Sequence, residues 1–294
     1  MLTSKAHRLL LALLVCISSL LCSCSSIQLG YNQADFLIKW WIDDYIDLSS
    51  DQVRFYDQAF PVIAKKHRQE ELPKALQKLR ILSAKLDQPL LIDDGVMLVK
   101  DIQSFSRNSV NLLLEDASTL AFMLKANQMA HLENAFVKSN KKYQSDYLKG
   151  TPEEQFDHRV EKVIERAESI GGNLNKAQKI QIREIAKEHL MDMSIVYQTR
   201  LFKQQLILKT LKQIIQDQPT PSQVKTILNQ LLDDLEFGST KEQKEFESNR
   251  LMNSGILIAK ISQVFDDQQR KKSQVKIQNW EKDLQNLIQH PKKY

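Results

Sequence analysis

Residues 48–52 read Leu48-Ser49-Ser50-Asp51-Gln52, a pattern that marks the beginning of a helix. A Ser side chain can accept a hydrogen bond from the amide three residues later, and a Gln at that position can reach back to the amide of the Ser. A leucine just before the Ser is placed to pack against the first turn of the helix. The stretch therefore predicts a helix that begins close to residue 50.

Similar helix-start patterns recur to the end of the chain, as capping boxes at 151–154, 175–178, 220–223 and 240–243. An apolar residue stands four positions before a glutamine at 48, 124, 174 and 265, with poorer caps after 124 and 265. The starts at 124, 174, 219 and 265 are 45 to 50 residues apart, which is typical of a repeated helical hairpin. The alternative is that a long helical protein reuses one good cap by chance.

The composition agrees with a helical fold. The 294 residues include only seven Gly and seven Pro, and no long alternating pattern of a strand is found. We predict an all-α protein of about nine to eleven helices with no sheet, built as an elongated bundle or an irregular array of helical hairpins. The expected helices span 32–47, 50–70 with a kink at Pro61, 72–87, 93 to about 150 with a break between Glu115 and Thr119, 152–170, Asn175–Gln216, 222–236, 240–264 and 267–289.

The N-terminus has the parts of an export signal. Lys5 and Arg8 precede a short apolar run, and Leu21-Cys22-Ser23-Cys24 follows it. This ending resembles the lipobox of bacterial lipoproteins, and the resemblance implies cleavage between Ser23 and Cys24 and a covalent lipid on Cys24. Ser25, in place of an Asp, favours the periplasmic face of the outer membrane over the inner membrane. An uncleaved helix or an ordinary secretory signal is the alternative.

These features predict a signal peptide over 1–23, a tether over 24–30 and a single helical body over 31–294. A division into two subdomains near residue 150 or 172 is the alternative. The cysteines are at 16, 22 and 24, so the mature chain keeps one and forms no internal disulfide. The net charge of +5 is too small to indicate nucleic-acid binding.

Several short motifs carry a resemblance to a family. Tyr31-Asn32, Trp40-Trp41, Asp43-Asp44-Tyr45, Leu48…Gln52, His67-Arg68 and Glu71-Leu72-Pro73 resemble the pattern of an uncharacterised family of Gram-negative lipoproteins of unknown function. The resemblance implies an all-helical periplasmic lipoprotein and no known activity. The Leu-x-x-x-Gln helix starts are also similar to those of small helical periplasmic chaperones of the Spy type.

The sharpest candidate for chemistry is the acidic cluster Asp43, Asp44 and Asp47. It spells D-D-x-x-D, similar to the magnesium-binding motif of all-α prenyltransferases and terpene synthases, and Asp43 and Asp47 share one helical face. The simpler interpretation is a helix end whose acids pair with Lys39 or a neighbouring helix, or cap the next one. No nucleophile elbow, P-loop or dinucleotide motif is present.

The aromatic residues Trp40, Trp41 and Tyr45 precede or overlap this cluster. Adjacent tryptophans on a helix point about 100° apart, so they cannot both face one core. We nevertheless expect each ring to pack in the core, against different neighbours. The alternative is that one ring contacts a membrane or a partner.

The sequence thus predicts a non-enzymatic envelope protein, of interaction, scaffold or chaperone-like function, with no cofactor beyond its lipid. The expected partners are the membrane, through the lipid, and envelope proteins, peptidoglycan or lipopolysaccharide, to which the basic C-terminal region is suited. The rival hypothesis is an all-α metal-dependent enzyme that uses Asp43, Asp44 and Asp47.

Overall fold

The computed structural model describes residues 26–291, which fold into eleven α-helices and no strand. The all-α prediction is confirmed. The expected signal peptide, Ser23 and Cys24 lie outside the described residues. The helices are α1 Ser26–Asn32, α2 Ala34–Ile46, α3 Ser50–Lys85, α4 Ile92–Phe122, α5 Ala126–Tyr147, α6 Pro152–Gly171, α7 Lys176–His189, α8 Met193–Asp217, α9 Pro221–Phe237, α10 Lys241–Val264 and α11 Asp267–Gln289.

The capping boxes read from the sequence form as predicted. In each, the cap side chain accepts from the amide three residues later, and the side chain at that third position accepts from the amide of the cap residue. This arrangement is present at Ser49, Thr151, Asn175, Thr220, Thr240 and also Asp266.

Two of the capping glutamines meet between the first turns of α3 and α5. The side-chain oxygens of Gln52 and Gln128 accept from the amides of Ser49 (2.8 Å) and Lys125 (3.0 Å), the residues that precede their helices. Their side-chain amides cross over to the other junction, where Gln52 donates to the Met123 carbonyl and Gln128 to that of Asp47. They also bond each other, and both are almost fully buried.

A second pair repeats this geometry between α7 and α11. Gln178 and Gln269 accept from the amides of their own caps, Asn175 and Asp266. Gln178 donates to the Val264 carbonyl at 2.9 Å, and Gln269 donates to the Asn173 carbonyl at 2.8 Å. In both pairs the accepting carbonyl lies two residues before the partner's cap, so each pair has a local two-fold relation. The four glutamines therefore join helix starts that are far apart in sequence.

The helix α3 corrects the prediction of two helices over 50–70 and 72–87. Both Pro61 and Pro73 lie inside one continuous helix, although each removes an amide donor. The residues buried along it recur every four positions at Gln52, Tyr56, Phe60, Ala64, Arg68, Leu72 and Leu76. The helix packs mainly against α11 and α4, and the beginning of the stripe also meets Gln128 of α5 and Ala34 and Ile42 of α2. This packing outweighs the local penalty of the prolines.

Two other boundaries also differ from the prediction. The break expected between Glu115 and Thr119 is absent, because Leu114, Ser118 and Ala121 form a continuous buried face of α4. The long helix expected over Asn175–Gln216 is divided into α7 and α8. Asp192 caps α8 by accepting from the Ser194 amide at 2.7 Å, so the chain leaves the helix at Leu190 and re-enters it at Met193.

The helix α4 is the centre of the packing. It lies against α3, α9 and α10, and its backbone touches that of α10 at Gly95 and Gly255. A Cβ atom on Gly95 would lie 2.2 Å from the carbonyl oxygen of Gly255, so neither position admits a side chain unless the helices separate.

The apolar interior is divided among several clusters along the body. The largest joins α4, α5, α8 and α9, and includes Leu114, Met129, Ile214 and Val224. A second lies between α6 and α7 with Phe265, a third lies around Leu86 and Ile277, and a fourth is formed by Tyr56, Phe60 and Ala64. No helix within residues 26–291 combines the length and the apolar character needed to cross a bilayer.

The Gln52 pair gives a direct test of the junctions. We expect Gln52→Ala to lower the free energy of unfolding by about 2–3 kcal/mol, because it leaves the Met123 carbonyl without its partner and removes one partner of Gln128. Gln223→Ala is the matched control, since Gln223 accepts from its own cap amide in the same way but is exposed. It should cost only about 0.5–1 kcal/mol. Equal losses in urea unfolding would contradict a role for the cross-helix bonds.

Candidate functional site

The helix α2 packs on the body by one face only. Ala34 and Ile42 lie against the stacked rings of Tyr56 and Phe60. Tyr45 packs edge-on against Phe136 of α5, and its hydroxyl donates to Ser139 at 3.3 Å. Lys39 pairs with Asp57 of α3 at 2.7 Å. These contacts fix α2 on α3 and α5.

The opposite face of α2 is open and apolar. Phe36 is 61% exposed, Trp40 60% and Trp41 57%, with Leu37 beside them and Leu29 of α1 nearby in the chain. No residue of α2 is buried, although the helix is one of the most apolar of the chain. An exposed apolar face of this kind marks a contact with a membrane, a protein or a ligand. We call Leu29, Phe36, Leu37, Trp40 and Trp41 the aromatic face.

The expectation that Trp40 and Trp41 pack in the core is wrong. Both rings project from the body, and only Tyr45 of the three predicted aromatic residues is partly buried, with Trp41 5.1 Å from it between ring centroids. The body meets α2 at the positions of Ala34, Ile42 and Tyr45. Trp40 lies on the side turned away from that contact, whereas Trp41 lies at its edge, one turn before Tyr45, and is exposed.

The acidic residues Asp43, Asp44 and Asp47 lie at the end of α2 and in the turn that follows. Asp43 accepts from the Leu48 amide at 2.9 Å, and Asp47 takes the left-handed conformation with φ 57°. The Asp44 carbonyl contacts Nε2 of His131 at 3.0 Å. Across residues 26–291, no group of three or more His, Cys, Asp or Glu is arranged to hold a metal ion. In this arrangement, Asp43 and Asp47 end one helix and lead to the cap of the next.

A buried polar cluster joins α1 to α3 and α4. The Tyr31 hydroxyl lies 3.0 Å from Nδ1 of His67, and Nε2 of His67 lies 3.0 Å from the Ser109 hydroxyl. The Ser109 hydroxyl also lies 2.8 Å from the Phe105 carbonyl, so its one proton can go to that carbonyl or to Nε2 of His67. Both ring nitrogens of His67 therefore have a hydroxyl partner.

Arg68 extends the cluster to the C-terminal helix. It is 4% exposed, its guanidinium lies 5.0 Å from the centre of the Tyr31 ring, and it donates to the Leu287 carbonyl at 2.6 Å. Gln28 of α1 donates to Asp283 of α11 at 2.8 Å. Tyr31, His67 and Arg68, which are distant motifs in the sequence, therefore lie together in space.

Sequence reasoning noted Tyr31, His67 and Arg68 only through the family resemblance and gave them no role. Ser109 and Asp283, which complete their contacts, carry no local signal, because nothing near them in the sequence indicates which helix they face. Arg107 also carries no local signal in the sequence. It donates to Asp233 at 2.6 Å and to Glu236 at 3.0 Å and so joins α4 to α9.

The chain belongs to DUF6279, a family of unknown function, whose profile matches residues 44–242. The match covers more than half of the chain, from the end of α2 to the beginning of α10, and leaves α1 and α11 outside. No curated protein and no solved structure matches the chain.

The environment of His67 makes a prediction about pH. Burial lowers the pKa of His67 below its ordinary value of 6.5, helped by the charge of Arg68 and opposed by Glu71. The unfolded chain therefore binds this proton first, and the stability is lost as the pH falls below about 6.5 toward the lowered pKa.

Urea unfolding of the wild type between pH 7 and 5 should show this loss, at no more than about 1.4 kcal/mol per pH unit for one proton. His67→Gln should remove that part of the slope, whereas His158→Gln, at an exposed histidine, should keep it. Identical slopes in the wild type and His67→Gln would contradict the assignment.

Proposed function

We propose that this protein is a lipid-anchored lipoprotein on the periplasmic face of the outer membrane and that its aromatic face lies on the bilayer. Its helical body then serves a non-enzymatic purpose, as an interaction, scaffold or chaperone-like protein of the envelope. The observation that carries the proposal is the aromatic face, which follows the lipobox cysteine almost at once in the chain. Envelope proteins, peptidoglycan and lipopolysaccharide are the partners within its reach.

Chain length supports the membrane contact. One residue separates Cys24 from Ser26, where α1 begins, and two extended residues span at most about 7 Å. A lipid on Cys24 would therefore hold the first turn of α1 at the membrane surface. The aromatic face begins in α1 with Leu29 and continues along the first two turns of α2.

The order of residue types along α2 also supports this orientation. Tryptophan is enriched at membrane–water interfaces, where its ring spans the apolar and polar regions. Phe36, Leu37 and Trp40 precede the acidic residues Asp43 and Asp44, which lie further along the chain from Cys24. The apolar part of the helix is thus nearer to the anchor, and the acids are nearer to the body and to water.

The interaction role of the body is supported by a second apolar surface, between α3 and α4. A groove of about 300 Å³ is lined there by Leu79, Leu82, Leu98 and Phe105. Ile81, Met97 and Ile102, all well exposed, are also among its lining residues. Ion pairs between lysines of α3 and aspartates of α4 cross its sides, such as Lys78 with Asp101 at 2.9 Å. An open groove between two long helices suits the apolar side chains of a bound segment.

The anchor is tested by metabolic labelling with an alkyne analogue of palmitate in cells that make the full chain. The wild type should take up the label and fractionate with outer membranes, because acyl chains on one cysteine give stable anchoring. Cys24→Ala should lose the label, and Cys22→Ala should keep it. Equal labelling of the wild type and Cys24→Ala would overturn the lipoprotein assignment.

The contact of the aromatic face is tested by tryptophan fluorescence of the full lipidated chain in vesicles whose acyl chains carry bromine. Trp40 and Trp41 are exposed, whereas Trp280 packs against the cluster around Leu86 and Ile277. Bromine should quench the wild type and Trp280→Phe, and quenching should fall to less than about half in Trp40→Phe/Trp41→Phe.

If quenching is lost in Trp280→Phe and kept in Trp40→Phe/Trp41→Phe, a surface other than the aromatic face contacts the bilayer, and the proposed contact is wrong. The double variant keeps an aromatic ring at each position, so a change in quenching reports the loss of the fluorophore and not a loss of the contact.

A further inference from the structure

A cleft lies under α2, between α5, α8 and α10. Its volume is about 650 Å³, within the range of sites that hold small molecules. The apolar part of its lining comes from side chains of all four helices, among them Trp41, Ile46, Phe136, Ile207 and Phe246. We call this space the α2 groove. Neither the acidic motif nor the capping pattern indicates it, because its lining residues are spread over residues 41–250.

The charged groups of the α2 groove are mostly positive. Arg200, Lys203 and Arg250 line it together with one acid, Glu247. Glu247 is buried and pairs with both Lys203 and Arg250, the latter at 2.7 Å. The lining thus contains three cations and one carboxylate, so its net charge is positive.

Arg200 is held in a fixed position in this wall. The side-chain amides of Asn140 and Gln204 bond each other at 2.7 and 3.1 Å, and the Asn140 oxygen accepts from Nε of Arg200 at 2.9 Å. Ser139 accepts from Nη2, and the guanidinium lies 5.4 Å from the centre of the Tyr143 ring.

The ion pairs of the described residues do not include Arg200. Its hydrogen-bond partners, Asn140 and Ser139, are neutral. An anion from outside the chain can therefore balance the positive charge of Arg200. A guanidinium that is already ordered loses little freedom when it binds a carboxylate or a phosphate.

We propose that the α2 groove holds an acyl chain of an anionic membrane phospholipid, with the anionic head group at Arg200 and Arg250. The apolar walls match the chain, and the excess of positive charge matches the head. Trp41 belongs both to the α2 groove and to the aromatic face, so the groove is next to the surface proposed to meet the bilayer. The access of the lipid to the groove rests on the proposed contact of the aromatic face with the bilayer. The match of the groove to an acyl chain and an anionic head group does not depend on that contact.

The test is photocrosslinking of the full lipidated chain in phosphatidylcholine vesicles that contain a small fraction of a phospholipid with a diazirine in its acyl chain. The probe carries either a phosphatidylglycerol or a phosphatidylcholine head group, and labelled peptides are located by mass spectrometry. We expect the anionic probe to label the groove peptides around Phe136 and Ile207 at least about fivefold more than the zwitterionic probe.

The preference should disappear in Arg200→Gln and weaken in Arg250→Gln, a substitution on the exposed edge of the groove. Lys209→Gln is the matched control, because it removes one positive charge from the exposed side of the same helix, outside the groove. Circular dichroism melting checks that each variant is folded. Equal labelling by the two probes, or an equal effect of Lys209→Gln, would overturn the proposal.

Labels located on Leu29, Phe36 or Leu37, which do not line the groove, report the aromatic face separately. Labels there and none in the groove would overturn the groove proposal and leave the membrane contact standing. Labels in the groove and none on Leu29, Phe36 or Leu37 would do the reverse. Displacement of the anionic probe by millimolar inorganic phosphate alone would show a simple anion site, which also contradicts an acyl-chain site.

Discussion

The fold depends on two exchanges of hydrogen bonds between capping glutamines. Each glutamine accepts from its own cap and donates to the carbonyl that leads into the partner's helix, so two helix starts become one junction. A single such bond adds only about 1 kcal/mol, but a buried polar group left without a partner costs more. The wrong pairing of helix starts is therefore penalised more strongly than the right one is rewarded. In a body with several small apolar clusters, this selectivity decides which helix ends meet.

The same exchange accounts for the position of α2. Gln128 donates to the carbonyls of both Ile46 and Asp47, so the end of α2 is satisfied by the start of α5. A helix with no buried residue has little apolar packing of its own to hold it. The polar junction at its end, with Tyr45 on Phe136, keeps α2 on the body while its other face stays open. The acids of D-D-x-x-D are placed by this junction, since Asp43 and Asp47 shape the turn that Gln128 closes.

Local patterns in the sequence predict where helices begin, because a capping box is complete within four residues. They do not predict that α3 continues past Pro61 and Pro73, because the stripe from Gln52 to Leu76 is stabilised by contacts with other helices, chiefly α11 and α4. They also fail to predict the end of α7. The chain leaves the helix there because Asp192 caps α8 by accepting from the Ser194 amide. Glutamine has the right chemistry for the exchange, since its amide accepts and donates at once. Gln223 has the same local pattern and remains exposed, so the pattern alone does not identify the paired positions.

The candidate site follows the same division. Trp40 and Trp41 are visible in the sequence, but their exposure depends on which face of α2 meets Tyr56 and Phe60. No local pattern links Tyr31 to the adjacent pair His67 and Arg68, and only the packing of α1 against α3 and α11 brings them together. Gln28 bonds Asp283, so the first described helix and the last one meet within four residues of Cys24. Under the proposed anchoring, this junction of α1 and α11 lies near the bilayer. The aromatic face can contact lipid without a rearrangement of the body, because α2 is bound to α3 and α5 through its opposite face.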